Sequence, residues 1–366
     1  DDGSDGQPDQ VGANSNYVDA YAVDSDDDGT DDECVIRFVA PEVALEWNNP
    51  DFGDAGVDYL VVAGGGGGGF AGGGAGGFSE GLRSEGAALK GANLGPVTRI
   101  FVGGGGAGST GATDSGSNGG DSYLISSNSD GAFDEVGAVD PDEDGEVRNG
   151  AADVPAVVMK GGGGGGQYTR SSFGSSGKTG GSAGGSTGGA DSVAPKNAAF
   201  GKSGGDAYLA SDAEKISAGG GGGAGTAGSP GGSDPNGGNG GQGLDSAITG
   251  TTVRYAAGGG GGADAREFSG GSPTGGAGGN GIGGDATDTE GPDSERDGLD
   301  ERGAGGGGSV LVTSDAPSLE FYQAYPGGDG GSGVVVVRFA PPPVEPAPVL
   351  GSVIRAEGGF TAEITN

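Results

Sequence analysis

Short apolar stretches alternate with glycine tracts along this chain, and neither follows a helical period. Residues 34–40 (Cys-Val-Ile-Arg-Phe-Val-Ala) form the first apolar stretch, closed by Pro41. Residues 57–63 (Val-Asp-Tyr-Leu-Val-Val-Ala) predict a strand, and they run straight into six glycines at 64–69. Residues 99–102 (Arg-Ile-Phe-Val) and 156–159 (Ala-Val-Val-Met) likewise precede glycine runs, as do residues 253–256 (Val-Arg-Tyr-Ala). Pure glycine runs occupy 64–69, 103–106, 161–166, 219–223, 258–262 and 305–308. The glycine-rich region closes with a strand at 334–339, after which Pro341-Pro342-Pro343 opens a stiff connection to a last strand-like piece at 352–355. The pattern divides the chain into an acidic N-terminal segment (1–56), a glycine-rich domain (57–340) and a Pro-rich tail with a C-terminal strand (341–366). No segment carries a helical period with caps.

Between the pure runs lie mixed ones with a Gly-Gly-x period of three, at 73–77, 237–242, 275–280 and 327–332. An extended helix of the polyproline II type has three residues per turn, so every third side chain lies along one edge. Such a helix makes no internal hydrogen bonds, and its buried N–H and C=O groups must find partners in neighbouring helices. Glycine helices can approach closely enough to bond one another because no Cβ holds them apart. The expectation is a sheaf in which all-glycine runs lie inside and Gly-Gly-x runs lie on its faces, with x (Ala, Asn, Gln, Asp, Ser) turned to solvent. The competing reading is a set of flexible Gly/Ser linkers.

Composition sharpens this picture. Of 366 residues, 95 are Gly and 18 are Pro, a share that by itself reads as disorder unless something other than an ordinary core orders the chain. The absence of a strict Gly-X-Y period excludes collagen. No run of about 20 apolar residues exists to span a membrane as a helix. A single Cys excludes a disulfide framework, and the absence of His excludes any triad or zinc site that uses it. With 52 acidic and 17 basic residues, the net charge is −35. Such a surface repels nucleic acid and anionic lipid, so neither nucleic acid nor membrane insertion is expected. The acids are spread over the whole chain, as expected of a protein adapted to high salt, where cations screen self-repulsion. A start at Asp1 without Met or a signal-like stretch fits a processed, exported protein.

The opening strand and glycines (58–69), the repeated tracts and the closing 330–339 (Gly-Gly-Ser-Gly-Val-Val-Val-Val-Arg-Phe) together resemble the glycine-rich domain of phage tail-fibre adhesins and microbial surface proteins. The resemblance covers about 57–340 and implies a fold of irregular/β class. That fold is a bundle of polyglycine-II helices bracketed by short β-strands, with almost no α-helix. In phage adhesin tips such bundles bind receptors through the loops between helices. The strong acidity, the added N-terminal segment and the C-terminal extension depart from the phage pattern.

Candidate chemistry is sparse. Gly177-Lys178-Thr179 and Gly201-Lys202-Ser203 imitate the end of a phosphate loop, but Ser172 and Lys196 stand where the loop needs its first Gly. The acidic loops are better candidates for calcium. Asp24, Asp26 and Asp28 occupy positions 1, 3 and 5 of a calcium loop, with Gly29 at 6 and Asp32 at 9. Asp140, Asp142 and Asp144 repeat the pattern before Gly145, and Asp293, Glu295 and Asp297 repeat it before Gly298. The usual bidentate acid at position 12 is replaced by Val35, Ala151 and Ala304, and the bland reading is an acidic turn. Cys34 reads as a small buried residue and Trp47 as a packing anchor. No nucleophile–base pair can be assembled, so an enzyme is not expected.

These readings favour a structural subunit of an extracellular filament, sheath or matrix, whose partners are copies of itself. The alternative is a receptor-binding adhesin of a cell or virion, directed at a surface receptor or glycan. A weaker third class, ice binding by a flat glycine-helix face, asks for a regular array of small or Thr residues at x. Three segments resemble one another, at 35–38, 336–339 and 353–356. The middle one is expected to be a sheet edge that a terminal copy from a neighbouring subunit completes by strand addition.

Overall fold

A computed structural model describes residues 17–23, 33–48, 56–86, 95–111, 113–127, 146–148, 156–168, 174–188, 193–195, 198–209, 216–233, 236–264, 274–287, 295–313, 322–340, 352–356 and 360–364. Its strands are β1 (Val18–Val23), β2 (Glu33–Phe38), β3 (Ala44–Asn48), β4 (Asp58–Val62), β5 (Phe78–Gly81) and β6 (Val97–Phe101). There follow β7 (Ser122–Ser126), β8 (Glu146–Arg148), β9 (Ala156–Met159), β10 (Tyr208–Leu209), β11 (Ile216–Ser217) and β12 (Leu244–Ser246). The last are β13 (Val253–Tyr255), β14 (Leu311–Thr313), β15 (Tyr322–Ala324), β16 (Val334–Phe339), β17 (Ser352–Ala356) and β18 (Phe360–Ile364). No α-helix occurs among the described residues.

Two antiparallel sheets face each other at one end of the molecule. One has the order β1-β2-β16-β4-β5 and the other β18-β17-β3-β6-β7-β9-β8. Alternate residues of the first sheet, among them Ile36, Phe38, Tyr59, Val61, Val335 and Val337, pack on Leu45, Trp47, Ile100, Leu124, Val157 and Met159 of the second. Trp47 is the anchor its sequence position suggested. Its ring lies 6.2 Å from that of Phe38 and 6.0 Å from that of Phe339. The opposite face of the first sheet (Val35, Leu60, Val62, Val334 and Val336) packs on Ala75, Ile248 and Tyr255, beneath the glycine-rich body.

Beyond this sandwich the period changes from two to three. Strands β4, β6, β9 and β13 run on into glycine segments, and β7 and β16 grow out of them. The segment 64–69 shows the bonding rule. Gly64 and Gly67 donate to Gly120 and Ser117; Gly65 and Gly68 donate to Gly331 and Gly328; Gly66 and Gly69 donate to Gly74 and Ala71. Its carbonyls accept with the same period. Those of Gly64 and Gly67 serve Gly162 and Gly165, those of Gly65 and Gly68 serve Gly106 and Ser109, and those of Gly66 and Gly69 serve Gly306 and Ser309. One helix therefore bonds six neighbours, three as donor and three as acceptor, at N···O distances of 2.8–3.0 Å. Segments 71–77, 219–223 and 257–262 follow the same rule with their own neighbours. This is a lattice of polyglycine-II helices, bracketed by short strands as expected. It accounts for the composition, because a Cβ added at any residue of 64–69 would run into a neighbouring backbone carbonyl.

The sorting rule holds for most tracts, with two corrections. Runs 64–69, 161–166, 219–223, 258–262 and 305–308 are buried throughout, whereas in 103–106 Gly105 is exposed between buried neighbours. Conversely, 73–77 was expected on a face but lies inside, with Ala75 fully buried, because a methyl is small enough to fit between the glycine helices and the sheet.

The closing strand β16 is not a sheet edge. It pairs with β4 on one side and, on the other, with β2 of the same chain, through Val335↔Phe38 to Phe339↔Cys34. The last two strands form a hairpin that adds to β3, with Ile354 opposite Trp47.

Candidate functional site

The two ends of the bundle differ. At the sandwich end, helices are joined by tight turns around 180–182, 224–226, 280–282 and 301–303. At the opposite end lie the described residues from which the longer connections leave and to which they return, at 167–168 and 174, 207–209 and 216–218, 263–264 and 274, 287 and 295, and 310–313 and 322–324. A small apolar plug of Phe70, Ala71, Ile216, Ala218 and Leu311 seals the lattice there. Tyr168 caps it edge-on to Phe70 at 5.0 Å, and its hydroxyl donates to Asp264 at 2.7 Å.

At the sandwich end, four charged side chains from different elements converge. Asp58 on β4, only 2% exposed, accepts from Arg83 Nε at 3.1 Å and from Arg338 Nη2 at 2.9 Å. Glu33 at the start of β2 pairs with Arg83 and, at 3.2 Å, with Arg338. Two cations thus hold two carboxylates, which is what makes burial of these charges tolerable. Burial alone would lower the Arg83 pKa, but Asp58 and Glu33 outweigh it and raise it. On the adjoining surface Arg37 bridges Asp19 and Glu301, tying β2 to a turn of the bundle. Nearby phenols are held neutral. Burial pushes Tyr21 up to about 12 and also raises Tyr59 and Tyr255. Burial, aided by Glu33, raises the Cys34 thiol, which is free and only partly buried.

The surface of the bundle carries a feature that reading x as solvent-facing missed. Asn and Asp at x remain exposed or half-exposed, yet their side-chain oxygens accept N–H groups of the next helix. Asn236 and Asn239 accept from Thr274 and Ala277 at 3.2 and 3.0 Å, while Gly237 and Gly240 donate back to the carbonyls of those two residues at 2.9 Å. Asp297 and Asp300 accept from Asp329 and Ser332 at 2.8 and 2.9 Å, again three residues apart on both helices. Asn118 and Asp121 serve Gly164 and Gly161; Asp329 serves Gly108; Asp285 serves Gly278. A residue with a Cβ cannot bring its own backbone as close as Gly can, and the Asx side chain spans the gap. The available signal was the recurrence of Asn or Asp three residues apart, at 118 and 121, 236 and 239, and 297 and 300.

Of the residues suggested for calcium, Asp24, Asp26, Asp28, Asp32, Asp140, Asp142, Asp144 and Asp293 lie outside the described residues. Glu295 is exposed and lends its backbone carbonyl to Asp285, and Asp297 spends a carboxylate oxygen on the lattice. Among the described residues no group of three or more His, Cys, Asp or Glu is placed to hold a metal ion. Lys178, in one imitation of a phosphate loop, is a lattice member whose N–H donates to Gly164.

The family model of the glycine-rich domain matches residues 44–340, from β3 through the end of β16. Among curated proteins none matches the chain.

Proposed function

The chain belongs to the glycine-rich domain family, and from that premise we propose that it is a non-enzymatic structural subunit of an extracellular filament, sheath or matrix. The bundle serves as a stiff body and the sandwich as the end that joins copies. The observation that carries this reading is the C-terminal hairpin. It lies beyond the family match, follows the Pro-rich connection that begins at Pro341, and completes a sheet by adding to β3. The same edge accepts a hairpin from its own chain or from the next one, since the backbone pairing is identical. Donation to a neighbour is strand addition, and head-to-tail addition that does not close into a ring makes a filament. The Glu33–Arg83–Asp58–Arg338 cluster keeps β2 in place, so the C-terminal hairpin is the element free to be exchanged.

Electron microscopy and sedimentation at high salt test this. The intact chain should form filaments, and a chain lacking 341–366 should remain folded and monomeric. A monomeric intact chain at native concentration would refute it, as would filaments from the truncated chain.

A second reading, a receptor-binding adhesin of a cell or virion, is favoured by the described flanks of the longer connections, such as 167–168, 207–209, 263–264 and 311–313, which lie at the end opposite the sandwich. Under it, a monomer or small oligomer binds a surface receptor or glycan through that end.

A further inference from the structure

The sequence contains five Asn-Gly steps. Three of them, Asn118-Gly119, Asn236-Gly237 and Asn239-Gly240, fall at ladder positions on the bundle surface. In a flexible chain this is the dipeptide most open to succinimide closure, because no side chain on the following residue shields its nitrogen. The deprotonated Gly nitrogen attacks the Asn Cγ, a C–N bond forms, and the amide nitrogen leaves as ammonia. Water then opens the ring at either carbonyl, giving Asp or isoaspartate. Burial does not protect these residues, since the three Asn side chains are exposed.

Hydrogen bonding engages the reacting atoms instead. The Gly nitrogens donate to Gly162, Thr274 and Ala277 at 2.9 Å each. The Asn oxygens are pinned by Gly164, Thr274 and Ala277. Ring closure requires the Gly N–H to leave its carbonyl and the Asn side chain to turn away from its donor, so two lattice bonds must open first. We infer that Asn118, Asn236 and Asn239 are latent isoaspartate sites, silent while the ladder is closed and released when the chain unfolds. The two products differ in consequence. Asp keeps the acceptor, as Asp297 and Asp300 already do at equivalent positions. Isoaspartate routes the main chain through Cβ and Cγ, adding an atom to the backbone and breaking the period of three. A chain marked this way cannot rebuild its lattice, so unfolding becomes irreversible on the time scale of the reaction. This inference rests on the lattice and not on the proposed assembly role.

The test is peptide mapping by mass spectrometry, with isoaspartate labelling by a methyltransferase, on folded and urea-unfolded protein incubated at mildly alkaline pH. At the three sites the folded chain should react at least tenfold more slowly, a factor worth about 1.4 kcal/mol. Equal rates in the two states would overturn the inference. Ala277→Pro adds a site-specific check, because it removes the N–H that pins Asn239 and leaves the Ala277 carbonyl that accepts from Gly240. In the folded variant Asn239 should react several-fold faster while Asn118 keeps its rate; an unchanged Asn239 would show that the ladder is not what protects it.

Discussion

Replacing Gly163 with Ala adds one methyl group to the inside of the lattice, and the structure sets its cost. The new Cβ would lie 2.7 Å from the carbonyl carbon of Lys178, closer still to its oxygen, and 3.0 Å from the nitrogen of Gly184. All three are backbone atoms, so no side chain can swing aside. Relief requires the helix carrying Lys178 to move outward by about 1.5 Å, since ordinary contacts begin near 3.5 Å and the carbonyl oxygen is the nearest atom. That shift breaks the bond from Lys178 N–H to Gly164 (2.8 Å) and the bond from Gly184 N–H to Lys178 (3.1 Å). Each buried amide group left unpaired costs about 1–3 kcal/mol, and overpacking adds about 1–3 kcal/mol. The total, about 3–9 kcal/mol, is comparable with the whole stability of an ordinary domain, about 5–15 kcal/mol. Gly163→Val should be worse. Gly111→Ala is the control, because a Cβ there meets nothing within 4 Å, and stabilisation by about 0.4–1 kcal/mol is expected from a stiffer unfolded chain. Chemical denaturation of the three variants measures these differences. If Gly163→Ala unfolds at the same denaturant concentration as the parent, the lattice reasoning is wrong.

Stability should rise with ionic strength, because a net charge of −35 repels itself in dilute buffer and is screened beyond about 3 Å at 1 M salt; thermal melts that stay flat up to high NaCl would contradict this. Alkali should destabilise the fold. The folded pKa of Tyr21 is raised to about 12 from 10.0, so its stabilising contribution is complete below pH 10 and is lost as pH climbs towards 12. The loss is about 2–3 kcal/mol for this group, and Tyr21→Phe should flatten the alkaline limb of a stability–pH curve. Calcium should raise the melting temperature beyond matched sodium and do so less in Asp26→Ala; equal shifts in the two proteins would remove the first acidic loop as a calcium site.

The fold was legible wherever a single rule governed a segment. Apolar runs ending in glycine marked β4, β6 and β9, and the all-glycine runs marked the inside of the lattice, because a Cβ at any residue of 64–69 would meet a neighbouring carbonyl. Where two rules competed, the sequence was ambiguous. Ala75 looks like a surface x residue, but a lone methyl is also tolerated beside a sheet, and only the packing of Tyr255 and Val334 around it decides. The resemblance of 35–38 to 336–339 pointed to a strand pairing but assigned it to neighbouring subunits, whereas β2 and β16 pair within one chain and the 353–356 segment adds to β3. It could not say that they pair within one chain, because the backbone hydrogen bonds of an antiparallel pair are the same whichever chain supplies the partner strand. The Asx ladder was hidden because Asn and Asp are ordinarily solvent-facing in glycine-rich text, and their acceptor role appears only when the next helix presents its N–H groups at the same spacing.

The central claim is that consecutive backbone groups of the glycine runs are bonded to different neighbours in rotation. Residue-resolved amide hydrogen exchange of the folded protein tests it most directly at 64–69 and 219–223. The lattice predicts that every successive amide in these runs is strongly protected, to a degree set by global unfolding, although no α-helix or sheet ladder contains them. Protection at alternate residues only would indicate an edge strand, and exchange at free-peptide rates would indicate a flexible linker; either result would contradict the account.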